Sequence, residues 1–329
     1  MQQHRTKRWH WGWWLLLSSI LVLLHLSAGP SALLHWPLTG TEQIILLELR
    51  LPRLVLAIIA GAGLAIAGAI LQILLRNPLA EPSILGVGQS ASVVVVAILY
   101  FQLLGTGMWQ GWLLPWFAFG GALLGLALVL WLGARRSTMQ LLLAGIAVGM
   151  FASALMALLL NLAPSPFAYQ EWSLWMLGSL AHRSWQDVLI LTPGLLLAIW
   201  VVVRQQPFLQ ALVLSEATVQ TLGFNVQRHR NQLFIATALL SGCLVVSVGL
   251  IGFIGLMAPH IARQLGLSQP RQLILASAWL GALLLLLCDA LAQWLPTPNE
   301  LQVGVVTALI GTPILVLLLQ QQTRASSDA

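Results

Sequence analysis

Long apolar runs separated by short polar stretches repeat along the whole chain. A helix needs about 20 apolar residues to cross the hydrocarbon of a bilayer, and eight of the runs approach or exceed that length. The pattern therefore predicts a series of membrane-spanning helices joined by short connections. The eight runs cover about 11–28, 54–75, 84–104, 112–132, 139–162, 187–203, 272–294 and 303–320.

A ninth apolar stretch, residues 232–266, is too long for one crossing. Its 35 residues would form a helix of about 52 Å, against a hydrocarbon core of roughly 30 Å. It contains the sequence VGLIGFIGLMAPH, in which closely spaced glycines and Pro259 can break or bend a helix. We therefore predict two shorter spans that meet near Gly252, which makes ten spans in all.

The composition excludes an ordinary soluble protein. Of the 329 residues, 59% are hydrophobic and 7% are charged, whereas soluble domains carry roughly 25% charged residues. The net charge of +6 does not indicate a nucleic-acid partner, because the basic residues stand singly or in pairs between apolar runs. We predict an all-α polytopic membrane protein that forms one transmembrane domain over residues 1–329, with the lipid bilayer around it.

The positions of the basic residues predict which ends face the cytoplasm, since cytoplasmic loops carry an excess of lysine and arginine. With the N-terminus inside and ten spans, both termini are cytoplasmic and only Arg50, Arg53 and Arg183 of 15 basic residues lie outside. A single span over 232–266 would weaken this bias. The basic residues placed inside are Arg5, Lys7, Arg8, Arg76, Arg135, Arg136, Arg204, Arg228, Arg230, Arg263, Arg271 and Arg324.

The sequence carries no catalytic motif. Lys7 is the only lysine and no G-x-x-x-x-G-K-[ST] loop occurs, so we do not expect this chain to bind ATP in the P-loop manner. The seven histidines lack metal-ligand spacing. We expect no enzyme activity, metal or cofactor. Asp289 lies inside an apolar run, where a functional carboxylate and a helix-packing hydrogen bond are alternatives. One such carboxylate is little support for an ion-coupled secondary transporter.

The connection LLRNPLAEPSILGVG, residues 74–88, is polar for its position between two apolar runs. Pro78 and Pro82 exclude a continuous helix through it. Irregular backbone at membrane depth is tolerated where it lines a cavity or is buried in protein. The connection is therefore either a plain turn or part of a pathway through the membrane.

Two further polar features lie at the ends of spans. Arg50 and Arg53 stand outside on one helical face, and snorkelling to the interface and docking of an acidic partner are the alternatives. On the inside, residues 213–232 contain Ser215 as a predicted N-cap and Gly223 as a predicted helix stop. We expect a short surface helix there that contacts another protein.

Six blocks, spread in order from about Arg50 to Leu319, carry a resemblance to a known family. They are RLPRLVLAIIAGAGLAIAGAILQILLRNPLAEPSILGV, LLLAGIAVG, WMLGSL, LSEATVQTLGFNV, GFIGLMAPHIAR and ELQVGVVTALIGTPI. They resemble permeases of the iron-siderophore and cobalamin ABC importer family. The resemblance implies a type II ABC importer permease fold and a homodimer in the bacterial inner membrane. It also implies cytoplasmic subunits that hydrolyse ATP and a periplasmic binding protein. The substrate most closely implied is cobalamin, with a siderophore or haem as the alternative.

The resemblance also assigns cytoplasmic roles to individual residues. It implies that Asn77 and Leu79 belong to a cytoplasmic gate, with a second constriction around Thr138 and Met139. The ATPase subunit would dock on a coupling segment at about 213–226, with contacts at Leu214, Ser215, Glu216, Ala217, Leu222 and Gly223.

On the outer side, the resemblance implies that Arg50 and Arg53 receive paired glutamates of the binding protein. This sequence departs from the family's pattern at one position. Related cobalamin permeases carry an arginine where this chain has Gln293, so a third docking contact is missing.

Overall fold

The computed structural model describes residues 11–28, 40–101, 103, 108–133, 138–164, 167–295 and 300–327, and every regular element in these ranges is helical. The predicted all-α class is confirmed. A π-helical segment, Ile45–Arg50, joins α2 to α3, and a 3-10 turn, Pro82–Leu85, precedes α4. The α-helices are α1 (Trp11–Ser27), α2 (Gly40–Ile44), α3 (Leu51–Leu74), α4 (Val87–Tyr100), α5 (Met108–Leu132), α6 (Thr138–Leu162), α7 (Ala168–Met176), α8 (Trp185–Arg204), α9 (Gln206–Ala211), α10 (Glu216–Thr221), α11 (Val226–Val248), α12 (Ile254–Gln264), α13 (Pro270–Trp294) and α14 (Val303–Ser327).

Nine apolar helices and one half-length helix stand where the ten spans are predicted. Within the described ranges, six helical stretches are long and apolar enough to cross a membrane, and α1, α4 and α14 contribute shorter apolar segments. The remaining predicted span, the second half of the 232–266 run, corresponds to α12, which has 11 residues and a length of about 16 Å. It therefore reaches through only half of the hydrocarbon.

The apolar run 232–266 is divided as predicted. α11 ends at Val248, and Gly249 and Phe253 have positive φ angles of 74° and 68°. A right-handed helix cannot continue through such residues. The chain therefore turns before α12 begins at Ile254.

The centre of the bundle consists of α3, α11 and α13. In these three helices 72%, 78% and 72% of the apolar window is buried, whereas the values for α5, α6 and α8 are 33%, 28% and 22%. A Cβ added at Gly61 of α3 would overlap the carbonyl of Gly281 in α13, and one at Gly68 would overlap that of Gly255 in α12. Such small residues let helix backbones approach closely within a membrane. α3 therefore packs directly against both α13 and α12.

Candidate functional site

The connection between α3 and α4, residues 75–86, is a compact turn on the predicted cytoplasmic side. The Asn77 side-chain oxygen accepts a hydrogen bond from the Leu79 amide at 2.9 Å, and the Ala80 amide donates to the Asn77 carbonyl at 3.1 Å. Both Asn77 and Leu79 are half-buried. At the end of the turn, Gly86 has a φ of 66° and packs against the backbone of Gly149 in α6. The connection is therefore held in one shape by its own polar groups.

Gln72, near the end of α3, joins three segments. Its side chain is 3% exposed. The amide nitrogen donates to the carbonyls of Ala80 and Gly255, both at 3.3 Å, and the amide oxygen accepts from Arg263 at 2.6 Å. The end of α3, the connection and α12 are therefore linked through one buried side chain.

Glu81 makes a second link between the connection and α12. Its carboxylate oxygen accepts a hydrogen bond from the Phe253 amide at 2.6 Å, and Phe253 is the N-cap residue of α12. Nearby, Pro82 lies close to Gly255, where an added Cβ would be 3.1 Å from the proline Cδ. Neither Gln72 nor Glu81 was assigned a role from the sequence. A polar glutamine inside an apolar run was the available signal for the first.

The segment of residues 213–226 forms the predicted surface helix. α10 is capped by the Ser215 hydroxyl, which accepts from the Thr218 amide at 3.2 Å, and ends before Gly223, whose φ is 87°. One face is anchored by Val219, which is fully buried. The six residues predicted to contact the ATPase subunit are all exposed, namely Leu214, Ser215, Glu216, Ala217, Leu222 and Gly223.

Two arginines connect this surface segment with the end of α3 and the connection that follows it. Arg76 donates to the Leu214 carbonyl at 3.2 Å. Arg230 lies 3.9 Å from the Glu216 carboxylate and donates to the carbonyl of Leu74 at 3.5 Å. Residues separated by more than 130 positions in the sequence are thereby brought into direct contact at one end of the bundle.

A groove of about 380 Å³ opens beside the connection, on the face of α6. Gln89 and two serines contribute polar groups. Thr138 and Met139, the predicted second constriction, are the first two residues of α6, and their side chains lie outside the described part of the chain. The groove is lined by Ser83, Gln89, Gly145, Ile146, Gly149, Met150 and Ser153.

Two irregular stretches meet the first turn of α14 within the bundle. The Ser179 amide donates to the Val248 carbonyl at 2.9 Å, and the Gly304 amide donates to the Gly178 carbonyl at 3.3 Å. Gly178 and Gly249 both have positive φ and lie in close contact. The turn after α7 and the break after α11 therefore bring non-helical backbone together beside the first turn of α14, inside the protein, where irregular backbone in a membrane is tolerated.

Arg53 lies in a buried ionic cluster on the predicted outer side. Its Nε and Nη2 atoms donate to the two Asp289 carboxylate oxygens, both at 2.7 Å, and it also pairs with Glu300. His25 and Gln293 contact the same aspartate at 2.7 and 2.9 Å. The Asp289 side chain is fully buried and that of Arg53 is 13% exposed. Asp289 is thus an ion-pair and packing partner between helices, and the sequence analysis missed His25 and Glu300.

Arg50 also points into the protein. It is 8% exposed, and its guanidinium donates to the carbonyl of Leu26 at the end of α1. Both outer arginines therefore have partners within this chain. Arg50 and Arg53 stand at the N-terminal end of α3, and their contact with a binding protein stays a prediction.

Comparisons with known proteins extend over nearly the whole chain. The model of the FecCD transport family matches residues 13–321. The vitamin B12 import system permease protein BtuC of Salmonella typhi is 39% identical over 331 residues, which cover 98% of this chain and 98% of that protein. BtuC of Salmonella newport (strain SL254) has the same identity and coverage.

Solved structures share the fold. One is described as an inward-facing conformation of an ABC transporter assigned to the metal-chelate type. It has a TM-score of 0.83 and 28% sequence identity, and the match covers 94% of this chain and 97% of that chain. PsaBC from Streptococcus pneumoniae, in complex with Fab, has a TM-score of 0.54 and 19% identity over 81% of this chain and 89% of that chain.

Proposed function

Because this chain belongs to the FecCD transport family, we propose that it is the membrane permease of an ABC importer that carries vitamin B12 from the periplasm to the cytoplasm. The observation that carries this proposal is the 39% identity to BtuC over 98% of both chains. ATP is hydrolysed by separate cytoplasmic subunits, and a periplasmic binding protein delivers the substrate. Both termini lie in the cytoplasm, as the positions of the basic residues predict.

Another metal chelate, a siderophore or haem, is the second candidate substrate. A 28% identical relative is of metal-chelate type, and Gln293 stands where related cobalamin permeases carry an arginine. In this chain Gln293 donates to Asp289 and completes the ionic cluster. The position therefore serves packing within the chain, and a guanidinium for docking is missing there.

A second copy of the chain completes the pathway. The exposed side of α6 carries large apolar side chains, with Met150 and Phe151 exposed by 69% and 70%, while the groove beside the connection has polar groups. A bilayer accepts the apolar side chains, but polar groups at membrane depth belong beside water or protein. Two copies with their α6 faces together would enclose the polar groove between them.

The cytoplasmic gate consists of Asn77 and Leu79 on the connection, with Thr138 and Met139 at the start of α6 as the second constriction. The turn closed by Asn77 holds Leu79 at the end of the bundle that carries the coupling segment. Its rigid shape suits a barrier whose opening depends on movement of the helices that support it. Exposed residues 214–217 and 222–223 receive the ATPase subunit, and Arg76 and Arg230 connect them to the gate.

The binding protein docks beside Arg50 and Arg53 through acidic side chains. Charge reversal at both arginines should weaken docking, because it replaces positive by negative charge beneath this surface, and negative charge there repels acidic side chains of the partner. The same change disturbs the buried cluster, so affinity is measured only on folded permease in nanodiscs. Reversal of the partner's glutamates to lysine should restore part of the affinity. The docking role would be contradicted if the charge-reversed permease bound the binding protein as tightly as the wild type does. It would also be contradicted if the partner's lysine substitutions restored no affinity.

An uptake experiment tests the proposed function as a whole. The permease is reconstituted into proteoliposomes with its ATPase and binding-protein partners, and ATP-dependent uptake of radiolabelled cyanocobalamin, a ferric siderophore and haemin is compared. We expect cyanocobalamin to accumulate only when ATP and the binding protein are both present. Accumulation of the siderophore or haemin alone would transfer the proposal to the second candidate. The permease without partners serves as the control and should hydrolyse no ATP.

A further inference from the structure

We propose that Glu81 is a positioning residue for transport, which fastens the gate connection to the N-terminus of α12 so that the two segments move as one body. The inference rests on the proposed function as a permease. It concerns a carboxylate that lies within the 75–86 connection and outside the predicted gate and docking residues.

The first observation is the unusual origin of the cap on α12. The first turn of any helix has amide groups without intrahelical partners, and a negative charge near them is favourable. α10 and α11 receive their caps from the adjacent residues Ser215 and Asn225. α12 has no cap from its own N-cap side chain. Instead Glu81, 172 positions earlier in the chain, accepts from the Phe253 amide.

The second observation is the backbone of Phe253 itself. An aromatic residue with a φ of 68° occupies a region that only surrounding contacts can maintain. On one side the Phe253 ring packs against Gly311 of α14, where an added Cβ would overlap the ring. On the other side is the hydrogen bond to Glu81. Removal of the carboxylate would leave the Phe253 amide without its side-chain acceptor, and the residue would be held only by its ring and by its carbonyl, which accepts from the Leu256 and Met257 amides.

The third observation is that Glu81 acts beside other contacts between the same two segments. Gln72 donates to carbonyls of both the connection and α12, and Pro82 packs on Gly255. Asn77 and Leu79 lie in the same short connection as Glu81. A displacement of α12 by a few ångströms therefore has to carry the gate residues with it or break the Glu81 bond. Because α12 spans only half of the membrane, it can shift without moving a complete crossing.

The experiment compares three substitutions in the full complex with its ATPase and binding protein. Glu81→Ala removes the acceptor, Glu81→Leu fills the space without an acceptor, and Glu81→Gln keeps a side-chain oxygen that can accept from the Phe253 amide. Glu48→Ala, which removes an exposed carboxylate far from the connection, is the matched control. Two quantities are measured: hydrogen exchange in peptides covering residues 249–257, and cyanocobalamin molecules imported per ATP hydrolysed.

For Glu81→Ala and Glu81→Leu we expect amide exchange at 249–257 up to about tenfold faster, which is the upper end of the net effect of losing one hydrogen bond. We also expect fewer molecules imported per ATP, with ATP hydrolysis itself retained. Glu81→Gln and Glu48→Ala should stay close to wild type in both measurements.

Several results would overturn the inference. One is an unchanged import-to-ATP ratio in both acceptor-free variants while the wild type transports. Another is an equal loss in Glu81→Gln, since the acceptor oxygen would then be irrelevant. If Glu81→Ala does not fold, Glu81→Leu decides. If the wild type imports no chelate at all, the proposed function fails, and the exchange measurement still tests whether Glu81 fastens α12.

Discussion

Replacing Asp289 by leucine tests whether the cluster around Arg53 stabilises the fold as a buried ion pair. The aspartate is fully buried and receives two hydrogen bonds from Arg53 and one each from His25 and Gln293. Removing one partner of a buried pair typically costs 3–5 kcal/mol, because the other charge stays without compensation. Arg53 is 13% exposed and keeps Glu300 as a partner, so we expect a loss of about 3 kcal/mol, at the lower end of that range.

Removing the other partner of the pair, by Arg53→Met, should lower the free energy of unfolding further. It leaves a carboxylate with no solvent exposure and with His25 and Gln293 as its remaining hydrogen-bond partners among the described residues, without the arginine charge, and the desolvation of such a charge is costly. We expect about 4 kcal/mol for this variant. The double variant Arg53→Met/Asp289→Leu removes both charges and replaces them with apolar side chains, and it should be less destabilised than either single variant.

The free energy of unfolding is measured in mixed micelles by denaturant titration, and the four proteins form a double-mutant cycle. Glu216→Ala is the control, because Glu216 and Arg230 form an exposed pair at 3.9 Å, for which we expect less than about 1 kcal/mol. A loss below about 1 kcal/mol for Asp289→Leu, or additive losses in the double variant, would refute the buried-pair interpretation.

Three further predictions concern other parts of the chain. Gly61→Ala should destabilise the protein by about 3 kcal/mol or more, because the added Cβ overlaps a carbonyl in α13. Gly120→Ala, which has no atom within 4 Å of the added Cβ, should instead stabilise it by about 0.5 kcal/mol. Chemical unfolding of both variants measures the difference. Leu222→Glu on the exposed coupling segment should release the ATPase subunit on co-purification, and equal release by the exposed control Gln227→Glu would contradict a specific contact. Burial raises the pKa of Glu81 above its ordinary 4.5, so its contribution to stability is complete below pH 4.5 and is lost as the pH rises through the folded pKa. The thermal midpoint should therefore fall more for the wild type than for Glu81→Gln between acidic and neutral pH, and parallel curves would exclude the shift.

The sequence by itself determined most of the long helices of this protein. The length of an apolar run decides whether a helix can cross a bilayer, and this is a property of neighbouring residues. The break in the 232–266 run followed from excess length and glycines, and positive φ at Gly249 bears this out. The surface helix followed from Ser215 and Gly223, since caps act within one turn.

The length of an apolar run did not show how far its helix reaches across the membrane. The second half of the 232–266 run was predicted to be a span, and its helix, α12, has 11 residues. Hydropathy reports that a segment prefers lipid or protein to water, and it does not distinguish a complete crossing from a half-helix buried among other helices. The contacts of α12 with Gly68 and Gln72 of α3 account for its position.

Only the tertiary structure decided which polar groups meet. The spacing of Arg50 and Arg53 predicted a common helical face, and could not show that Arg53 pairs with Asp289, 236 positions away. In the same way, nothing local to Glu81 indicated that it would cap α12. Such pairs depend on how helices distant in sequence pack, and here that packing depends on close glycine contacts such as Gly61 with Gly281. Local patterns specify each helix, whereas the partners of its buried charges are specified by all the helices that surround it.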